Sequence, residues 1–397
     1  MATENNNKTL NVPNLRFPEY SGVWDRIKVS DLLELYPTNS LSWEQLDYSG
    51  EGIFNLHYGL IHKGLPTQVD VSENNLPTIK DEYIPKKMSL CQNGDVAFAD
   101  ASEDTNDVAK CIEFANCEDR KIVCGLHTIH GRDSINKTIV GFKGYAFAAP
   151  AFRQQIRRLA QGTKIYSVSS NNFAECYIGI PSKAEQTKIA ELLYKLDKRI
   201  ATQIKIIEKL ESLIKGLCSS LFDKNKYDSF VRLGDISEIT NGNSDVQDAS
   251  LSYSDGMYPF FDRSEDIKFL PEYLLDKEAI IYPGEGSEFY PRYYNGKFAL
   301  HQRCYAIYDI APNFATRYLY FFCKTQNSYF VRNAVGSTVA SLRLDTFKRL
   351  NIPNIPIELQ KTYVQLLDKI ETKIVDNKTV LKKYEEQKRY LLSKMFI

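Results

Sequence analysis

Residues 186–222 and 360–396 spell one helix twice. Adding 174 to a position in the first stretch gives its counterpart in the second: Gln186 matches Gln360, Leu192 and Leu193 match Leu366 and Leu367, Lys195 matches Lys369, Ile200 matches Ile374, Lys209 matches Lys383, Glu211 matches Glu385, Leu217 matches Leu391 and Phe222 matches Phe396. The alignment needs no gap, which two unrelated helices would not achieve by chance. In the first stretch apolar residues fall at Ile189, Leu193, Leu196, Ile200, Ile207, Leu210, Ile214, Leu217 and Leu221. The steps alternate four and three, as in the seam of a coiled coil. Gln203 interrupts the seam, and Asn377 interrupts its copy at the equivalent place, while Lys388 replaces Ile214. Neither stretch contains Pro, and within them only Gly216 lowers helix propensity. Such a rod is about 55 Å long at roughly 1.5 Å per residue.

A single apolar seam needs a partner. If a pseudo-two-fold axis relates the halves of the chain, the rods run antiparallel. Leu193, Leu196, Ile200, Gln203 and Ile207 of the first then face Leu367, Ile370, Ile374, Asn377 and Leu381 of the second. The two mid-rod amides meet in that arrangement, and a buried amide pair fixes register at some cost in stability. The plainer alternative has each amide facing solvent where the seam drifts. Pairing within one chain and pairing between two chains are both open.

A larger segment precedes each rod, giving the division 1–182, 183–226, 227–357 and 358–397. The larger segments share their edges. Val29–Leu35 resembles Leu233–Ile239, and Gly162-Thr-Lys-Ile leads to Ile180-Pro181 as Gly336-Ser-Thr-Val leads to Ile355-Pro356. Their interiors do not visibly align. Short runs rich in Tyr, Phe, Ile and Val read as strands, for example Ala279–Tyr282, Lys297–Leu300 and Tyr305–Tyr308. Helices are expected over Ala151–Ala160 and Ala311–Gln326. The fold class is therefore mixed α/β, with two such domains separated by the long helices.

Nothing in the chain approaches eighteen consecutive apolar residues, and Met1–Asn11 is polar, so no membrane span or signal peptide is expected and the location is cytoplasmic. Eight scattered cysteines without CxxC pairs read as small apolar residues of a reducing compartment. The net charge is zero, but the total hides a partition. Residues 183–226 carry 10 Lys and Arg against 6 Asp and Glu, and residues 358–397 carry 9 against 6, while both larger segments are slightly acidic.

The opening Val12-Pro-Asn-Leu-Arg-Phe-Pro-Glu-Tyr-Ser-Gly-Val-Trp24, the segment ending Phe298-Ala-Leu-His-Gln-Arg-Cys304 and the Ile-Pro exits into repeated rods resemble the specificity subunit of Type I restriction-modification systems. The resemblance spans nearly the whole chain. It implies two target recognition domains, each docking on one half of a split double-stranded DNA site, with the rods as spacer and docking surface for two methyltransferase subunits. The resemblance further implies ATP-dependent restriction subunits in such a complex, so S-adenosylmethionine, ATP and magnesium are expected on partners and no cofactor on this chain. It also implies a circular arrangement in which Pro13–Trp24 lies beside the end of the second rod. A 55 Å rod bounds the half-site separation at roughly 16 base pairs.

On this reading the candidate DNA contacts are Lys86, Lys87 and Lys143 for phosphate, and His130 and Arg132 on a polar turn. Arg292 stands among aromatics, and Gln302 and Arg303 suit adenine and guanine edges. Each has an ordinary alternative, from solvated lysine to a loop tied to its own backbone. Cys117, Cys124, His127 and His130 lie within fourteen residues, but their spacing fits no common zinc site, so no metal is expected. Gly284-Glu-Gly286 reads as a turn. No GxxxxGK[ST] loop, [DN]PP[YF] tetrad or nuclease constellation is present, so the chain is expected to be non-catalytic. The rival readings are a coiled-coil adaptor for proteins only and a self-sufficient DNA-modifying enzyme with an unfamiliar site.

Overall fold

In the computed structural model, residues 11–73 and 75–397 are described. The chain divides into two compact units, one running to Ile204 and taking in Val380–Ile397, the other comprising Lys205–Thr379. The expected long helices are Lys183–Leu221 and Ile357–Lys394, and each is shared between the units. At 39 and 38 residues they are roughly 58 Å long.

In the first unit a five-stranded sheet has the order Glu34–Tyr36, Thr128–Arg132, Val96–Ala99, Cys111–Ala115, Gln68–Asp70. Its neighbours are antiparallel except for the last pair, which is parallel. In the second unit, Glu238–Asn241, Cys304–Tyr308, Leu275–Pro283, Arg292–Leu300 and Tyr258–Phe261 follow the same order, and a sixth strand, Lys268–Leu270, is added at the far edge. Among these five, too, the last pair is parallel and the others antiparallel. The chain visits the five positions in the same sequence in both units. The interiors that showed no alignment are thus one topology. What the first unit adds is a four-stranded sheet, in the order Lys121–Cys124, Ile53–Leu56, Thr78–Ile79, Leu46–Asp47, and this accounts for its greater length.

The frame around each sheet repeats atom for atom. Asp25–Lys28 pairs with Tyr177–Ile180, and Phe230–Arg232 pairs with Asn351–Pro353. The Val29 amide donates to Cys176 O at 2.8 Å and the Leu233 amide to Leu350 O at 2.9 Å. Pro181 follows the strand Tyr177–Ile180 and Pro353 is the last residue of Asn351–Pro353, and in each unit a fully buried glutamine then locks the helix start. Gln186 accepts from Ile139 N and donates to Pro181 O and Lys137 O. Gln360 accepts from Ala315 N and donates to Ile355 O and Asn313 O.

That last bond moves one expected element. The helix anticipated at Ala311–Gln326 begins at Thr316, because Ala311–Phe314 forms a turn and the Ala315 amide is held by Gln360. Pro150–Leu159 and the three strands named from sequence lie close to their expected places.

The N-terminal segment lies along the tail of the second long helix, as the resemblance implies. Leu15 N donates to Lys394 O at 2.9 Å, and the Trp24 and Phe396 rings meet edge to face at 6.3 Å. Arg16 grips Glu185 with two hydrogen bonds of 2.7 Å. Leu193, Leu196, Leu391, Met395 and Phe396 are part of one buried cluster with Trp24, against which Ile200 packs. Among the other seam residues Ile207, Leu367 and Ile374 are buried, and Ile370 and Leu381 half-buried. Gln203 is buried, and half-buried Asn377 donates to Lys373 O.

Candidate nucleic-acid interface

In each unit the second strand of the shared sheet is entered by a tight turn. In the second unit the turn is His301–Arg303, between Arg292–Leu300 and Cys304–Tyr308. Gln302 and Arg303 are exposed at its tip. Gln302 Nε2 donates to Asp245 Oδ2 at 3.3 Å, and the Arg303 guanidinium, 62% exposed, pairs with Glu285. Below them is a cleft of about 170 Å³ lined by Asp262, Arg263, Glu285 and His301. Each side chain is held by a single half-buried carboxylate.

A loop with a repeated shape stands beside the turn. Val335 and Ser341 exchange two backbone hydrogen bonds of 2.9 and 2.8 Å, and Ser341 is bridged to Glu285. The corresponding residues Gln161 and Ser167 exchange two bonds of 2.9 Å. Each loop turns on a glycine with positive φ, Gly162 at +141° and Gly336 at +118°. A Cβ would meet Ile165 O at 1.9 Å in the first and Val339 O at 2.4 Å in the second, so neither site admits another residue without rearrangement. Leu342 N donates to Gly284 O as Val168 N donates to Asp100 O. In the first unit the turn Leu126–His127 therefore occupies the place of Gln302–Arg303, with His127 half exposed and 3.2 Å from Asp100. Sequence reasoning met His127 only as part of a rejected zinc pattern; the offset of the strands was the available signal.

The structure moves His130 and Lys143 away from any surface. His130 is fully buried, with Nε2 2.8 Å from Asp95 Oδ2. Arg132 lies on the same side of its strand, two residues on. Its Nε and Nη2 bond the two Asp95 oxygens at 2.8 and 2.7 Å, and its guanidinium stacks 4.5 Å over Tyr36. Burial alone would push the Asp95 carboxyl up, but the hydrogen bonds from Arg132 and His130 outweigh it and hold it below the usual carboxylate range. Arg132, 20% exposed, is mainly a tie within the sheet.

Lys143 is 3% exposed because it neutralises Glu113, itself 0% exposed. Its Nζ lies 3.3 Å from Glu113 Oε1 and donates to Thr138 Oγ1 at 2.8 Å, while the amides of Gly141 and Gly144 donate to the carboxylate at 2.9 and 2.8 Å. Even so, burial keeps the Glu113 carboxyl above its ordinary value.

Arg292 is likewise turned inward. It donates to Asp262 O at 2.7 Å and to Ser264 O, and packs 5.6 Å over Phe261, tying the loop after Tyr258–Phe261. Lys86 and Lys87 are exposed in a bend after the turn Asp81–Tyr83, without an ion pair among the described residues.

Residues 70–212 and 226–385 match the family model of the Type I restriction modification DNA specificity domain. No curated protein sequence matches the chain. Among solved structures, the fold is similar to the S subunit of a Type-I restriction-modification system from M. genitalium, with 15% identity and a TM-score of 0.63 over 97% of this chain and 99% of that one. It is also similar to a chain from a structure concerned with complex assembly and conformational transition of the type I R-M system, at 14% identity and a TM-score of 0.51 over 93% and 96% of the two chains. At these identities the likeness is one of fold. The two matched stretches together cover most of the sequence, and the chain belongs to the family of the Type I restriction modification DNA specificity domain, which it carries twice.

Proposed function

We propose that this chain is the non-catalytic sequence-reading subunit of a Type I restriction-modification complex, with residues 1–182 and 227–357 as its two target recognition domains. Each reads one half of a bipartite double-stranded DNA site. Gln302 and Arg303 read base edges for the second domain, His127 stands at the matching position of the first, and Lys86 and Lys87 hold phosphate. Residues 183–226 and 358–397 are the spacer, paired antiparallel. They dock two methyltransferase subunits, and ATP-dependent restriction subunits join through these. S-adenosylmethionine, ATP and magnesium belong to the partners.

The observation that carries this reading is one five-strand frame, used twice, presenting an exposed turn and glycine loop whose side chains differ between the copies. Equal scaffolds with unequal tips are what two readers of different half-sites need. The antiparallel pairing is supported by two ion pairs, each inside one unit. Asp197 meets Lys388 at 2.6 Å and Glu211 meets Lys378 at 2.7 Å, so numbers rise on one helix as they fall on the other. A spacer of roughly 58 Å bounds the half-site separation at about 17 base pairs.

The test is to sequence methylated adenines in DNA exposed to the complex of this chain with its methyltransferase. Exchanging residues 80–145 for those of a relative should change one half of the modified site and leave the other. An unchanged site, or cleavage or methylation by the chain alone, would overturn the reading.

A further inference from the structure

The buried groups left over by this function converge at one place in the first unit, where its additional four-stranded sheet meets the shared five-stranded one. Cys124 closes the strand Lys121–Cys124 of the added sheet. Cys91, whose amide donates to Ile122 O at 2.8 Å, lies alongside it. His130 comes from the shared sheet. Two sulfurs and a ring nitrogen of these three residues all lie within 4.8 Å of one another, and all three residues are buried.

The imidazole gives the cluster its meaning. Its Nε2 faces Asp95, whose charge Arg132 fixes, so that nitrogen carries the proton. Nδ1 is then a lone-pair acceptor, and among the described residues it has no hydrogen-bond partner although the side chain is 0% exposed. Buried acceptors are rarely left so. A carboxylate that orients one nitrogen of a histidine while the other is presented to thiols is the second layer of a metal centre.

The sulfur spacing agrees. Cys91 Sγ and Cys124 Sγ are 3.6 Å apart, against about 3.8 Å for two thiolates on a tetrahedral zinc ion with Zn–S bonds of roughly 2.3 Å. Two thiolates balance a divalent charge. Cys117 is also buried, on the loop between Cys111–Ala115 and Lys121–Cys124, but lies outside this cluster of three. A pattern search along the sequence misses this set, because one donor lies thirty-three residues before the next.

We propose that Cys91, Cys124 and His130 bind a zinc-class divalent cation that staples the added sheet of the first unit to its shared sheet. The site is structural: it has no open face for substrate, and its loss loosens the first unit while sparing the second.

The experiment uses the full chain, purified without a histidine tag from zinc-supplemented cells. Elemental analysis should find about one equivalent of zinc, falling below about a tenth in Cys91→Ser, Cys124→Ser and His130→Ala. Cys176→Ser, a buried cysteine outside the cluster, should keep it. Because the variants can misfold, the wild-type chain is also stripped with chelator and titrated with Co(II), which should give a thiolate-to-cobalt charge-transfer band and the visible bands of tetrahedral cobalt. Folded wild-type protein without bound zinc and without that band overturns the proposal. So does a Cys91–Cys124 disulfide in freshly purified protein.

Discussion

Replacing Lys143 by Met removes the cation from a fully enclosed pair while keeping its aliphatic volume. Glu113 would be left with the amides of Gly141 and Gly144 as donors and no countercharge. Breaking a buried pair in this way costs about 3–5 kcal/mol, because the remaining ion is stranded without water. The chain has two tryptophans, Trp24 and Trp43, both in the first unit, so fluorescence follows the unfolding of that unit alone. With a urea dependence of about 2 kcal/mol per molar, the midpoint should fall by about 2 M. The sign of the pH effect follows from Glu113, whose carboxyl burial already holds above its ordinary value. Losing Lys143 raises it further. Between the unfolded and folded pKa the folded state then binds more protons, so the variant loses stability as pH rises through that window and levels off above it. The defect should be smallest at the acid end of that window and should grow toward neutrality. A penalty below about 1 kcal/mol, or one constant across that range, would refute the buried-pair reasoning. The methylated sequence should not change, since Lys143 is buried.

Gln186→Ala and Gln360→Ala each strand three backbone groups and should cost about 2–4 kcal/mol, the first shifting the tryptophan transition and the second only the far-UV circular dichroism of the other unit. Arg303→Ala should leave stability within about 0.5 kcal/mol yet alter one half of the methylated site, read by sequencing modified adenines. Trp24→Ala should cost about 3–5 kcal/mol and speed hydrogen exchange over residues 384–396, where Phe396 loses one of its two ring partners and keeps Phe142.

The long helices were legible because heptads announce themselves and the 174-residue offset survives without a gap. The same offset reaches into the frame, where Gln186 and Gln360 make matching sets of bonds. The shared five-strand sheet was not legible, since strands of three to nine residues with unlike sequences can occupy equivalent positions. Lys143 looked like a phosphate contact because Glu113, its partner, stands thirty residues earlier. His130 and Arg132 looked like a polar turn, whereas they lie on a strand and share Asp95. Gln302 and Arg303 could be seen as a pair suited to base edges, but only coordinates place them at a turn tip that has a counterpart at His127.

Leu391, Met395 and Phe396 help to fill the core of the unit that also holds Trp24 and Val29. On the ribosome, then, the portion translated first must wait with an open interior until the residues after Lys205–Thr379 have been made. Removing the last dozen residues before Ile397 would injure the unit that is translated first, leaving the later-made unit the better folded of the two.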